Sequence, residues 1–188
     1  MIKKEIRVLG IASVTVRVGK SGSTHVVGIV YRGNRWLEGV MRVVIPWKQL
    51  NLTTGIAKMV IGSAHFPQLR VIVLDELVSK RGSYVDIEAL SRKTGLPIVA
   101  VLQSKPRTWN LSKTRTGARR AIKMLTGLSG REWKAMGNTY FVYSAGIDEV
   151  NLDELLKVCA SGKGTPEAAR VARITASSLQ NLLAEGAP

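Results

Sequence analysis

The stretch Arg70-Val71-Ile72-Val73-Leu74-Asp75-Glu76 has the pattern of a short strand that is buried on both faces and stops at carboxylates. Ligand sites of α/β sheets open at the carboxyl ends of such strands. We therefore expect Asp75 to lie at the functional edge of a sheet, where its carboxylate contacts a metal ion or a substrate. A turn or capping role after the strand is the alternative interpretation of Asp75.

The segments around this strand predict a mixed α/β sheet. Upstream, three apolar strand patterns are separated by glycine-containing turns, and downstream, helical and strand patterns alternate before two final helices. The predicted strands are 5–11, 25–32, 36–45, 70–75, 98–102 and 140–143, and the predicted helices are 53–64, 84–94, 113–126, 130–136, 152–159 and 168–182. A three-strand meander followed by alternating helices and strands is the element order of the ribonuclease-H-like fold, with helices on both faces of the sheet. We expect a single domain over 1–188, with C-terminal helices over 150–186 packed on the sheet.

The composition is that of a basic globular protein. Apolar residues make up 45% of the 188 residues, as expected for a folded core. Lys and Arg number 28 against 13 Asp and Glu, which gives a formal net charge of +15. Nucleic acid is the partner we expect for such a charge, and a solvated basic surface is the alternative. No apolar segment is long enough for a signal peptide or a membrane span, so we expect a cytoplasmic protein with no membrane partner.

The residues most often used for metal binding or nucleophilic catalysis are few. Cys159 is the only cysteine, which excludes an internal disulfide and a cysteine-based zinc site. Its apolar position in a helical pattern predicts a packed core thiol. His25 and His65 have no second histidine or carboxylate at a ligand spacing, and a structural role is expected for both.

Short blocks along nearly the whole chain follow one another in a specific order and spacing. The blocks are Lys4–Ile11, Val27–Gly33, Trp36–Val40, Arg70–Asp75, Val85–Ile87, Thr94–Val99 and Pro166–Arg173. In these blocks the chain resembles the archaeal family known as domain of unknown function 99, which is similar to endonuclease V. The resemblance implies a ribonuclease-H-like fold and, for the nuclease relatives, magnesium-dependent cleavage of nucleic acid near modified bases.

The chain departs from that family where the family carries acids. The family's first strand typically ends in two aspartates, and those places hold Ala12 and Ser13. Two family aspartates after the third strand correspond here to Lys48 and Asn51. A two-metal site needs a bridging carboxylate and flanking acids, and a lysine there opposes metal binding. The resemblance therefore implies a nuclease scaffold with an altered site, in which Lys48 holds a phosphate beside Asp75.

Three acids still match the family's pattern, and they are the candidate catalytic residues if cleavage survives. They are Asp75, Asp86 and Glu167, with Asp75 as the candidate metal ligand and Mg²⁺ as the candidate cofactor, the alternative being no cofactor. Asp86 also fits a capping box, Ser83-x-x-Asp86, at the start of the predicted helix 84–94. Glu167 follows a Thr-Pro pair typical of a helix start, so its charge suits the helix dipole. Local pattern favours these capping roles for the latter two acids.

A run of basic residues provides the second functional signal. If 113–126 is helical, Arg115, Arg119 and Lys123 share one face, where like charges repel unless an anion binds. Trp109 and Trp133 flank this face and are candidates for stacking on bases, with packing in the core as the alternative. The candidate nucleic-acid-binding residues are Lys48, Lys113, Arg115, Arg119, Arg120, Lys123, Arg170 and Arg173.

Three functions follow from these observations. The first is a nucleic-acid-binding protein on an endonuclease-V-like scaffold, with nuclease activity weakened or lost. The second is an active magnesium-dependent endonuclease on modified-base DNA or RNA, and the third is a non-catalytic module whose basic face meets an acidic protein. The sequence leaves open the choice between DNA and RNA, the modified base and the oligomeric state.

Overall fold

The computed structural model describes residues 2–18, 21–79, 82–104, 123–124, 126–160, 162 and 164–185. The strands in these ranges are β1 (Arg7–Val18), β2 (Ser21–Arg32), β3 (Trp36–Pro46), β4 (Val71–Leu74), β5 (Ile98–Leu102), β6 (Gly130–Ala135) and β7 (Asn138–Ala145). The helices are α1 (Thr53–Ile61), α2 (Ile87–Thr94), α3 (Glu149–Cys159) and α4 (Glu167–Glu185), with a 3₁₀ turn at Phe66–Gln68. Among these elements, no helix is long and apolar enough to cross a membrane.

The described strands form one mixed sheet in the order β3-β2-β1-β4-β5-β7-β6. β1, β2 and β3 pair antiparallel as a meander, whereas β4 lies parallel to both β1 and β5. β7 then pairs antiparallel with β5 and with β6. Together with helices on both faces, this arrangement confirms the predicted ribonuclease-H-like α/β fold.

The prediction of a helix over 130–136 is wrong, because this segment is the edge strand β6. Its side chains alternate between half-buried and exposed, and Trp133 and Ala135 pack toward the core from the half-buried set. A turn at Met136 and Gly137 returns the chain into β7, so 130–145 is a hairpin. Most of the helix predicted over 113–126 lies outside the described residues.

Alternating side chains of β1 divide the core into two layers. Leu9 packs with Ile56 of α1 and Leu90 of α2 on one face of the sheet. Val8 packs with Ala168 of α4 on the other face, in a cluster that also contains α3 residues. Both faces of β1 are therefore buried, as the unbroken apolar run of this strand requires.

α4 lies directly on β1, because small residues face each other at the contact. A Cβ atom added to Gly10 would lie 2.0 Å from the carbonyl carbon of Ala168, so only glycine permits this approach. Further along the same contact, Ala12 packs with Ala172 and Ala176. This packing brings the polar side chains of α4 to the carboxyl ends of β1 and β4.

Candidate nucleic-acid site at the end of the central strands

Asp75 lies immediately after β4, at the carboxyl end of a strand whose four residues are all buried. Its backbone N–H donates to the Ile11 carbonyl of β1 at 3.3 Å. Ile11 pairs with Leu74, so the next residue of β1, Ala12, lies beside Asp75. Ala12 and Asp75 both face α4, as their contacts with Ala172 and Arg173 show.

The Asp75 carboxylate is largely buried and has a cation as its neighbour. Its Oδ2 lies 3.6 Å from Nε of Arg173, and the two side chains are 18% and 46% exposed, respectively. Burial raises the pKa of Asp75 to about 6, even though the Arg173 charge acts in the opposite direction. The guanidinium therefore provides the positive charge that stands next to this carboxylate.

The donor set around Asp75 does not fit a two-metal site. Ala12 has no ligand atom, and Ser13 alternates to the other face, where its hydroxyl donates to Glu76 at 3.1 Å. No group of three or more histidine, cysteine or acidic side chains could hold a metal ion within the part of the chain that the structure describes. Two ions sharing a bridging carboxylate would need flanking acids where Ala12 and Arg173 lie.

Asp86 serves as a helix cap on the other face of the sheet. It is the N-cap of α2, and its Oδ1 accepts from the N–H of Ala89 at 2.9 Å. Its own N–H donates to Oγ1 of Thr53 at 3.0 Å, which ties α2 to the start of α1. The predicted capping box was three residues out of register, because Asp86 and not Ser83 is the N-cap. The structure does not bring Asp86 next to Asp75, which faces α4.

Glu167 begins α4 and forms an ion pair within that helix. Its carboxylate accepts from Nε of Arg170 at 2.8 Å and from Nη2 at 2.5 Å. Such a fork-shaped pair fixes the direction of both side chains at the start of the helix. Glu167 lies in the first turn of α4, as the Thr-Pro pattern before it predicted.

Lys48 follows an edge strand of the sheet, whereas Asp75 follows a central strand. Lys48 is exposed in the turn after β3, an edge strand that is separated from β4 by β2 and β1. Adjacent strands lie about 4.8 Å apart, so three spacings put β3 roughly 14 Å from β4. Asn51, the other replaced acid, accepts from the N–H of Thr53 at 3.0 Å and so supports the start of α1.

The remaining basic and aromatic candidates have different outcomes. Lys123 is exposed, and Trp133 packs against Tyr140 with ring centroids 5.7 Å apart, so Trp133 follows the packing alternative. Lys113, Arg115, Arg119 and Arg120 lie outside the described residues, as does Trp109.

Arg170 and Arg173 line one cavity of about 530 Å³. Its wall also contains Gln103, just after β5, and Asn138 at the start of β7. The arginines were predicted from the C-terminal block, whereas the two amides were not. Asn138 was not predicted because a helix was expected over 130–136, although Gly137 is a turn signal.

Sheet order and helix placement define the class of this protein as a ribonuclease-H-like α/β fold, and solved nuclease structures share it. Human endonuclease V (ENDOV) superposes with a TM-score of 0.66 over 94% of this chain and 85% of that chain, at 12% identity. A protein of unknown function from Archaeoglobus fulgidus superposes with a TM-score of 0.76 over 93% of this chain and 98% of that chain, at 25% identity.

Sequence comparison narrows the class to one family. The Endonuclease dU family model matches residues 4–180, so the chain belongs to that family. A UPF0215 protein from Methanopyrus kandleri is 34% identical over 95% of this chain and 93% of its own length. Another, from Methanosarcina mazei, is 30% identical over 95% of this chain and 92% of its own length. These relatives confirm the resemblance to an archaeal endonuclease-V-like family.

Proposed function

We propose that this chain binds nucleic acid on an endonuclease-V-like fold and that its metal-dependent cleavage is weakened or lost. The observation that carries the proposal is the ion pair of Asp75 and Arg173 beside Ala12, at the strand ends where the family resemblance places acids. A net charge of +15 favours a polyanionic ligand. A fold relative, endonuclease V from Ciona intestinalis, is solved with inosine-containing DNA, which agrees with this ligand class.

Arg173 is the residue that binds a backbone phosphate in this proposal. Its guanidinium is about half exposed, so a phosphate can reach it without displacing the helix. A guanidinium presents several N–H donors in a planar fork, which suits two phosphate oxygens at once. Because that charge belongs to the protein, binding does not require a divalent ion.

An active magnesium-dependent endonuclease remains the second candidate, and the state of Asp75 is the observation that favours it. A buried carboxylate with a raised pKa at a strand end is typical of functional sites. A single Mg²⁺ held by one carboxylate would depend on substrate phosphates for further ligands. Against this candidate, Asp86 caps α2 and Glu167 pairs with Arg170. An acidic protein partner for the basic surface is a third candidate.

The test combines cleavage and binding on the same samples. Labelled DNA containing deoxyinosine or deoxyuridine, and RNA containing inosine, are incubated with Mg²⁺ or Mn²⁺ and with wild type or Asp75→Ala. Gel-shift binding is measured in parallel with EDTA present. Arg173→Gln removes the proposed phosphate contact, and Arg92→Gln is its matched control. Arg92 also pairs with an acid, Glu88, but lies on α2, on the other face of the sheet.

We expect binding in EDTA that weakens in Arg173→Gln but not in Arg92→Gln, with little or no cleavage. Metal-dependent cleavage that disappears in Asp75→Ala would overturn the proposal and establish the nuclease. Absence of both binding and cleavage would instead favour the protein-interaction module.

A further inference from the structure

The cavity of about 530 Å³ shares Arg173 with the Asp75 ion pair and is lined by several parts of the chain. Gln103 follows β5, Met136 and Asn138 come from the β6–β7 hairpin, and Arg173 comes from α4. A volume of this size is in the range of small-molecule pockets. The cavity therefore has room for a ligand of the size of one nucleotide.

Met136 has a backbone conformation that its side chain disfavours. Its φ is +49°, and it is the one non-glycine with positive φ among the residues that the structure describes. Gly137 follows with φ +74°, so the pair forms the turn with two left-handed residues that hairpins prefer to build from Asn-Gly. A methionine here is strained, and such strain is commonly found at functional sites.

The Met136 side chain is also 71% exposed at the rim of the cavity. An exposed thioether is unfavourable in water, but it is polarizable and makes good contacts with aromatic faces. The turn thus places a residue with an unfavourable backbone conformation and an exposed apolar side chain at the rim of the cavity. An aromatic ring lying against Met136 would cover the exposed thioether.

The polar groups of the cavity suit the edge of a nucleobase. Gln103 and Asn138 have amide groups, which both donate and accept hydrogen bonds as base edges do. Asn138 already donates through Nδ2 to the Met136 carbonyl at 3.2 Å, which holds its amide in a fixed direction.

The charges at the cavity suit one phosphate on the ligand. Arg170 forms a forked ion pair with Glu167, whereas the half-exposed Arg173 lies at the longer distance of 3.6 Å from the Asp75 carboxylate. A phosphate would therefore gain more from Arg173 than from Arg170. The second arginine has donors to share with a phosphate.

We propose that this cavity binds one unpaired nucleotide, with its base against Met136 and the amides of Gln103 and Asn138, and its phosphate at Arg173. The inference rests on the proposed nucleic-acid-binding function and names the part of the ligand that enters this cavity. Stacking on a side chain tolerates any base, so an unpaired thymidine is a sufficient probe.

Met136→Asn separates the structural role of the turn from ligand binding. Asparagine is favoured in this turn, so the variant should unfold at a higher temperature than wild type. Affinity for a fluorescein-labelled single-stranded oligothymidine should nevertheless fall by about three- to tenfold, because the thioether contact is lost. Val150→Asn is the matched control, since Val150 is 79% exposed on α3 and does not line the cavity. That variant should bind like wild type.

Competition experiments identify the ligand. Thymidine monophosphate should displace the oligonucleotide from wild type better than thymidine or inorganic phosphate at equal concentration, and this advantage should shrink in Met136→Asn. Equal affinity of Met136→Asn and wild type, or no advantage of the nucleotide over phosphate, would overturn the inference and leave the proposed function intact. Direct binding of thymidine monophosphate in a calorimetric titration, without any binding of oligonucleotides, would support the cavity and refute the wider function. Absence of both would refute both.

Discussion

Replacing Asp75 by asparagine should stabilise the folded protein at neutral pH. The carboxylate is 18% exposed, and burial raises its pKa from the ordinary value of 3.8 to about 6. A raised carboxyl pKa means that the folded state prefers the neutral acid, so ionisation opposes folding increasingly between pH 3.8 and pH 6 and fully above pH 6. Asparagine has nearly the shape of the neutral acid and never ionises. It therefore removes this opposition at the cost of the contact with Arg173.

The size of the effect follows from the two pKa values. Their difference is about 2, and each pH unit corresponds to about 1.4 kcal/mol, so the upper limit is about 3 kcal/mol. Rearrangement around Arg173 and the lost ion pair reduce this value, and we expect about 1–3 kcal/mol at pH 7.5. As the pH falls toward 3.8 the difference should shrink, and well below 3.8, where the wild-type carboxyl is protonated in both the folded and unfolded states, it should disappear.

The assay is urea unfolding of wild type and Asp75→Asn between pH 4 and pH 8 with EDTA present. Asp148→Asn is the control, because Asp148 is exposed at the start of α3 and hydrogen bonds from Asn151 lower its pKa. Its contribution to stability has the opposite sign, so this replacement should not stabilise the protein at neutral pH. A variant Asp75→Asn that is no more stable than wild type at pH 7.5, or whose advantage persists unchanged at pH 4, would refute the reasoning.

Three further outcomes are expected. Arg173→Gln should lower the dependence of DNA affinity on salt by roughly one phosphate contact, a log–log slope change of about 0.9, whereas an unchanged slope would argue against a phosphate at this residue. Asp86→Ala should cost about 1 kcal/mol in urea unfolding through the lost cap of α2 without changing nucleic-acid affinity, and a selective loss of binding would assign it to the site. Burial raises the pKa of Cys159 to about 12, so a thiol reagent at pH 8 should label it only as fast as the protein opens. Rapid labelling under native conditions would contradict its place in the core.

Helices and strands with a regular pattern of apolar residues could be predicted from the local sequence. The run Val71–Leu74 is buried on both faces, and its apolar residues required a central strand followed by polar Asp75. The helix of 152–159 is equally clear, because its buried residues recur at the spacing of one helix face. In both cases the prediction does not depend on which element packs against the apolar face, because any packed layer can bury it.

Tertiary structure decided the segments and contacts whose partners are distant in the sequence. The segment 130–135 mixes glycine, charged residues, one tryptophan and one alanine without a clear period, and pairing with β7 makes it a strand. The contact of Asp75 with Arg173 likewise depends on Gly10 and Ala168, which let α4 approach β1. Local sequence determines which faces must be buried, but the position of one charge beside another depends on how separate elements pack. For that reason the sequence by itself determined that Asp75 ends a central strand, and only the fold determined that an arginine stands next to it.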